Sequence, residues 1–449
     1  MQSTRCAPFK TLLGLSIPAV LAFVPLLGCG PTPAPTPEGL PPVVGASSLP
    51  VLPPAVAQRG DWPWWRGPSN DGIAPADQDP ALTWSDTENV VWVADVPGTG
   101  HGSPCIVGER VLVPTADEST ETISLRCYNR RTGDLMWETP LSAGSFDHTH
   151  EDNSHASGTP ACDGERAFFA YQAKGSVFLA ATDLDGKILW NKQLAPFVSM
   201  HGFACSPLLY KSLVIVPSDN PGPGFLTAVH RVTGDVVWRT RRLDDFQNFS
   251  SPIVLDIADR KQLILVGPNR VHSYDPDTGE LVWKCDGPTK VAAATAVTDG
   301  QNVFATAGYP KRHLMAIRGD GKGEISRTHL LWKTPGGARH VAAYVPTPVL
   351  KDGLIYSVND EGTMRCYDAT SGEVIWQHDL GQSFYSSPII VGDRIYVFSR
   401  DGDGYVMRTG REFNLLAENK LPSGVWATPR FLDGRMYVRT LHQLYCIGQ

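Results

Sequence analysis

Paired cysteines are missing from this chain. Of its nine cysteines none stands in a Cys-x-x-Cys step and no two are adjacent, so neither the thiolate pair of a zinc ribbon nor a redox dithiol is on offer. Charge is sparse, at 19%, and its balance is acidic, 46 Asp and Glu against 39 Lys and Arg for a net of −7. An acidic surface repels phosphate, which excludes nucleic acid and anionic lipid held by charge as partners. No P-loop and no GxGxxG stands between a strand and a helix, and no Ser, His and Asp fall at the spacing of a triad. The nucleotide-binding and hydrolase classes that announce themselves by motif are therefore absent. Long helical periodicity is absent too between residues 61 and 449.

What is present is a period. Trp92, Trp137, Trp190, Trp238, Trp283, Trp332 and Trp376 return at intervals of 45, 53, 48, 45, 49 and 44 residues. Several close one phrase, as in Thr132-Gly133-Asp134-Leu135-Met136-Trp137, Thr278-Gly279-Glu280-Leu281-Val282-Trp283 and Ser371-Gly372-Glu373-Val374-Ile375-Trp376. A repeat in the forties with a turn in every unit signals stacked small sheets. Out of phase with it runs a second phrase, Ser/Thr-Pro before an apolar strand, at Ser103, Thr159, Ser206, Ser251, Thr347, Ser387 and Thr428, with Thr295-Ala296 in the remaining slot. Alternating apolar residues around Gly-Asp turns mark antiparallel strands. Each unit reads as four strands: one after Ser/Thr-Pro, its hairpin partner, a third such as Arg365-Cys366-Tyr367-Asp368, and a fourth ending in Trp.

Eight Ser/Thr steps predict an all-β, eight-bladed β-propeller. The last unit stops after Leu444-Tyr445-Cys446-Ile447, third-strand material, whereas Val90-Val91-Trp92-Val93 is an orphan fourth strand at the other end. The N-terminal strand is therefore expected to complete the C-terminal blade and hide its edge. The degenerate fourth strand lies near Leu415-Leu416-Ala417, where Trp is absent.

The chain divides into residues 1–28, 29–60 and 61–449. The first carries Arg5 and Lys10 ahead of a mostly apolar Thr11–Leu27, a secretory pattern. Leu26-Leu27-Gly28-Cys29 resembles a bacterial lipobox, in which the Cys29 sulfur is acylated and becomes the new N-terminus. An ordinary signal peptide or an uncleaved anchor is the alternative. Gly30 after the cysteine implies, by the same resemblance, the outer membrane rather than the inner. Residues 31–60 hold nine prolines, so they are expected to extend at roughly 3 Å per residue as a tether. Without Arg5 and Lys10, 37 basic residues face 46 acidic ones, a net of −9. Seven cysteines remain in the repeats. Cys105 and Cys162 follow adjacent Ser/Thr-Pro steps, so a disulfide is one outcome and two buried thiols the other.

The repeated Thr-Gly-Glu-x-x-Trp with its Ser-Pro strands resembles the pyrroloquinoline-quinone (PQQ)-binding-like propeller repeat, as do the opening Trp62-Pro63-Trp64-Trp65-Arg66-Gly67-Pro68 and His150-Glu151-Asp152-Asn153-Ser154-His155. That resemblance implies two kinds of relative: quinoprotein alcohol dehydrogenases holding PQQ with calcium, and a cofactor-free outer-membrane assembly lipoprotein. The dehydrogenases place two consecutive cysteines beside the quinone, and this chain has none. Asp401-Gly402-Asp403-Gly404 offers alternate carboxylates, but Asp-Gly recurs at Asp185, Asp299 and Asp352 as plain hairpin chemistry.

Residues three to six places before each Ser/Thr-Pro proline should crowd one mouth of the central channel. His101, His155, His201, Asn248, Tyr344, Tyr385 and Trp426 stand there and form the candidate ligand site. His148 and His150 form a His-x-His pair which, on a strand, turns both rings to one face and makes a weak metal candidate. The favoured function is a non-catalytic binding or scaffolding module of the cell envelope, tied to lipid by Cys29 and holding a protein partner, with no cofactor expected. The alternatives are a PQQ-dependent oxidoreductase and a sugar or small-ligand sensor.

Overall fold

Gly-turned hairpins and Pro-started strands leave these residues one economical arrangement, a closed ring of small sheets. The computed structural model describes residues 40–144, 146–242, 246–337 and 342–448; the signal region and Cys29 lie outside them. Eight sheets each have a core of four antiparallel strands, and two carry a fifth, parallel strand, Ile73–Ala74 beside Ile389–Val391 and Gly323–Glu324 beside Leu281–Asp286. Blade 1 comprises Cys105–Val107, Arg110–Asp117, Thr122–Asn129 and Leu135–Ser142. Blade 8 comprises Arg430–Leu432, Arg435–Arg439 and Gln443–Ile447, with Val90–Asp95 as its outer strand. Trp92 pairs with Cys446 and Val93 with Tyr445 across that seam, which is the expected closure. Among the described residues no helix is long and apolar enough to cross a membrane.

Two features differ from the sequence expectation. The fourth strands do not end at tryptophan. Val236–Arg242 and Val374–Asp379 begin two residues ahead of it and run past it, with an irregular register just before the Trp pair. The early tryptophan thereby meets the next blade's turn. A Cβ on Gly133 would lie 2.7 Å from the Trp92 ring, one on Gly279 2.4 Å from Trp238, and one on Gly372 2.5 Å from Trp332. Each of these glycines has positive φ, so the turn requires glycine twice, for backbone and for space. Four indoles also donate to a carbonyl of the neighbouring blade: Trp92 to Arg130, Trp137 to Leu184, Trp332 to Ala369 and Trp376 to Gly410, at 2.9–3.0 Å. The other three differ: the Trp283 indole turns into its own blade and donates to the Gln262 side chain, and the buried indole nitrogens of Trp190 and Trp238 have no hydrogen-bond partner among the described residues.

The proline-rich stretch is the second difference. Residues 40–54 are not a free tether but lie along blade 3. Proline lacks an amide proton yet keeps its carbonyl, and three prolines use it: Pro41 accepts from Arg239, Pro50 pairs with His230, and Pro53 accepts from Arg231. Val43 forms a parallel bridge to Val236 on that blade's outer strand. Cys105 and Cys162 are buried free thiols. Burial pushes the Cys162 thiol up to about 12.

Gly279→Ala is predicted to destabilise the protein by roughly 2–4 kcal/mol, from left-handed strain plus overpacking. Denaturant titration checks this, and an unshifted midpoint contradicts the wedge. Deleting residues 61–93 should abolish cooperative unfolding, because blade 8 loses its outer strand; an unchanged melting temperature contradicts the closure.

Candidate functional site

The Ser/Thr before each inner strand faces the channel axis. Proline after it holds that residue extended, which turns both its amide and its hydroxyl toward the neighbouring blades. The amides of Thr159, Ser206, Thr295, Thr347, Ser387 and Thr428 donate to the hydroxyls of Ser206, Ser251, Thr347, Ser387, Thr428 and Ser103, at 2.8–3.0 Å. Six hydrogen bonds thus link neighbouring blades in a hydroxyl belt, and all eight Ser/Thr residues line one cavity of about 340 Å³.

Below the belt the channel is stoppered. The opening phrase at residues 62–72 runs beneath the ring. Trp62 bridges Ile106 of blade 1 and Pro63 accepts from the Cys162 amide of blade 2. The Trp65 indole donates to the Thr295 hydroxyl at 2.9 Å and its ring forms part of the cavity lining. Arg66 reaches the carbonyls of Pro348 and Pro388, and Arg430 that of Pro104. The channel is therefore a cup with one opening.

The rim is aromatic and cationic. Arg400 stands 4.0 Å from the Trp426 ring centre and 4.5 Å from that of Tyr385, and pairs with Asp152 at 2.6 Å. His101 lies against Trp426, centroids 4.3 Å apart. Burial pushes the His101 imidazole down to about 3, with Arg439 and Arg400 adding in the same direction. Burial raises the phenol of Tyr344, and it pushes that of Tyr385 up to about 12, where Asp152 also contributes. Behind Tyr344, the largely buried Asp360 accepts from the amides of Tyr344 and Val345. Burial raises its carboxyl to about 6 against the pull of Arg312.

Five of the seven anticipated mouth residues line the cup: His101, His201, Tyr344, Tyr385 and Trp426. Asn248 does not, because its amide is drawn to Asp219, which a bidentate bond from Arg242 holds buried. Nor does His155, whose Nε2 bonds the Asp147 carbonyl while its ring stacks on Phe146. His148 and His150 lie in a loop, not a strand, so the pairing argument fails. His148 is exposed, whereas His150 lines the cup and stacks on His201 at 5.0 Å. Among the described residues no group of three His, Cys, Asp or Glu is placed to hold a metal. Sequence reasoning missed Trp65, Arg400 and Phe249. Arg400 was within reach, since turns joining second and third strands open on the mouth, as Asp360 also shows.

The residues present do not fit a calcium–quinone pair. Calcium takes about six to eight oxygens with carboxylates among them, and the cup is lined by one carboxylate, Asp152, which is committed to Arg400.

A family profile described as outer membrane protein assembly factor BamB matches residues 121–320 and 324–413. The chain belongs to this BamB-type PQQ-repeat family. Outer membrane protein assembly factor BamB of Burkholderia pseudomallei (strain K96243) is 23% identical over 367 residues, 77% of this chain and 86% of that protein. BamB from Moraxella catarrhalis superposes with a TM-score of 0.58 at 15% identity, covering 80% of this chain and 99% of the other. Quinohemoprotein alcohol dehydrogenase from Comamonas testosteroni gives 0.61 at 13% identity, covering 87% and 81%. Identities this low carry the ring architecture alone.

A folded-state value for His101 far below the unfolded value of about 6.5 means that the folded chain binds fewer protons. Its contribution to stability is full above pH 6.5 and is lost as pH falls toward about 3. The His101 ring resonances should stay those of neutral imidazole down to pH 5 in NMR titration. A midpoint near 6.5 contradicts the burial described.

Proposed function

We propose that this chain is an exported, lipid-anchored binding and scaffolding propeller of the cell envelope that serves the assembly of outer-membrane proteins. The observation that carries this reading is the family match over residues 121–413, supported by a Burkholderia relative, itself named an outer membrane protein assembly factor, of which the chain spans 86%. Several physical features agree with it. The blades are joined by glycine-docked indoles at the outer seams and a hydroxyl belt inside. The cup pairs its one carboxylate with arginine instead of leaving it to act as a base. The secretory pattern and the lipobox at Cys29 supply the address, and Gly30 favours the outer membrane.

A second reading, alcohol oxidation with PQQ, draws on shared fold with the quinohemoprotein dehydrogenase, and the cup's donor set argues against it. A third, sensing of a small ligand, draws on the cup itself.

Cys29→Ala should move the protein from the membrane to the soluble envelope fraction; retention in membranes argues against acylation. Cells lacking the chain should hold less folded β-barrel protein in their outer membrane, read by heat-modifiable gel mobility. An unchanged level leaves the scaffold reading without support. Purified protein supplied with PQQ and calcium should show no dye-linked alcohol oxidation. Turnover would put the second reading in place of the first.

A further inference from the structure

We infer that the cup is a receptor for a carboxylate-bearing ligand, its acid group seated on the hydroxyl belt above Trp65 and its apolar body lying among the rings of the rim. Donor bookkeeping carries the argument. Six belt hydroxyls accept a neighbouring blade's amide, and the Thr295 hydroxyl accepts from Trp65. A hydroxyl that accepts keeps its proton to donate. Among the described residues no belt hydroxyl donates to a protein acceptor, so eight O–H groups around one 340 Å³ cavity await acceptors from its occupant. The cup itself offers few, because its one carboxylate is paired with Arg400. An occupant rich in acceptors and poor in donors satisfies that inventory. A sugar's hydroxyls can accept from the belt, but each also brings a proton that needs an acceptor of its own, whereas a carboxylate only accepts. Free phosphate meets the belt but leaves the upper wall of Phe249, Tyr344 and Trp426 uncovered.

Charge points the same way. Arg430 is fully buried, 5.4 Å from the Trp62 ring centre and 5.7 Å from that of Trp65, and its two terminal nitrogens make no hydrogen bond among the described residues. Arg66 is buried on the same stopper, and Arg439 is fully buried behind His101. With Arg400 at the rim, these guanidiniums make the cavity favourable to a negative group at short range. The calcium donors that a quinone site requires play no part. The carboxylate has two sources, a free organic acid or the C-terminus of a peptide chain; the second rests on the scaffold reading and the first does not.

Isothermal titration of the full-length protein decides. Phenylacetate is expected to bind and its neutral isostere phenylacetamide is not. Equal binding of the two, or heat from neither phenylacetate nor a carboxylate-ended peptide, overturns the inference. Thr159 is the belt residue whose hydroxyl accepts from neither a backbone amide nor an indole among the described residues, so Thr159→Val removes one donor without opening the belt. It should weaken binding about three- to tenfold at an unchanged melting temperature, the effect of one hydrogen bond. Unchanged affinity overturns the belt as the seat. Tighter binding of Gly-Gly-Phe with a free terminus than of phenylacetate, lost in its amide, assigns a chain terminus; the reverse order assigns a free acid. Either result supports carboxylate recognition. Intact binding in a protein whose loss leaves folded β-barrel levels unchanged would remove the scaffold reading alone.

Discussion

An amide that meets a neighbour's hydroxyl is the contact on which this ring depends. Each Ser/Thr-Pro step is extended by its proline, and the extended residue points both hydrogen-bonding groups sideways. A single blade cannot satisfy them, so the groups are paired only when blades stand side by side. Outside the belt the same neighbour rule operates with indole and glycine, where Trp238 lies so close to Gly279 that no side chain fits. Stability is then a sum over interfaces between adjacent units. The cup is what remains at the centre when the inner contact is made at six of the eight junctions between blades.

The architecture was legible because its causes are local and repeat. Trp92 without a third strand before it, and Tyr445 without a fourth after it, specify the closure, and the register of Val93 on Tyr445 agrees. The belt residues were visible as a phrase but not as a device, since a hydroxyl's partner one blade away leaves no mark in spacing. The proline stretch misled for a comparable reason. Composition reports stiffness and says nothing of acceptors, and the carbonyls of Pro41, Pro50 and Pro53 are what hold residues 40–54 to blade 3.

The site was half legible. Position before the Ser/Thr-Pro step places a residue near the mouth, and His101, Tyr344, Tyr385 and Trp426 followed that rule. The rule fails where a side chain finds a stronger local partner. Asn248 has Asp219, buried and held by Arg242; His155 has a carbonyl of its own loop and a phenyl face. Arg400 and Asp152 meet across 248 positions of sequence, and Trp65 arrives from beneath. Contacts of that range come from the closed ring and not from any single repeat.

The seam in blade 8 also imposes an order in time. Asp95 and Gln443, neighbours in the finished sheet, are 348 residues apart in the chain. A polypeptide delivered amino end first must keep its earliest strand, and the Trp62–Gly72 stopper before it, waiting while seven complete sheets form behind them. Such distant pairing is slow and leaves an unsatisfied edge exposed meanwhile. The seam thus joins first-made to last-made, and a chain cut short by even one strand has nothing to fasten.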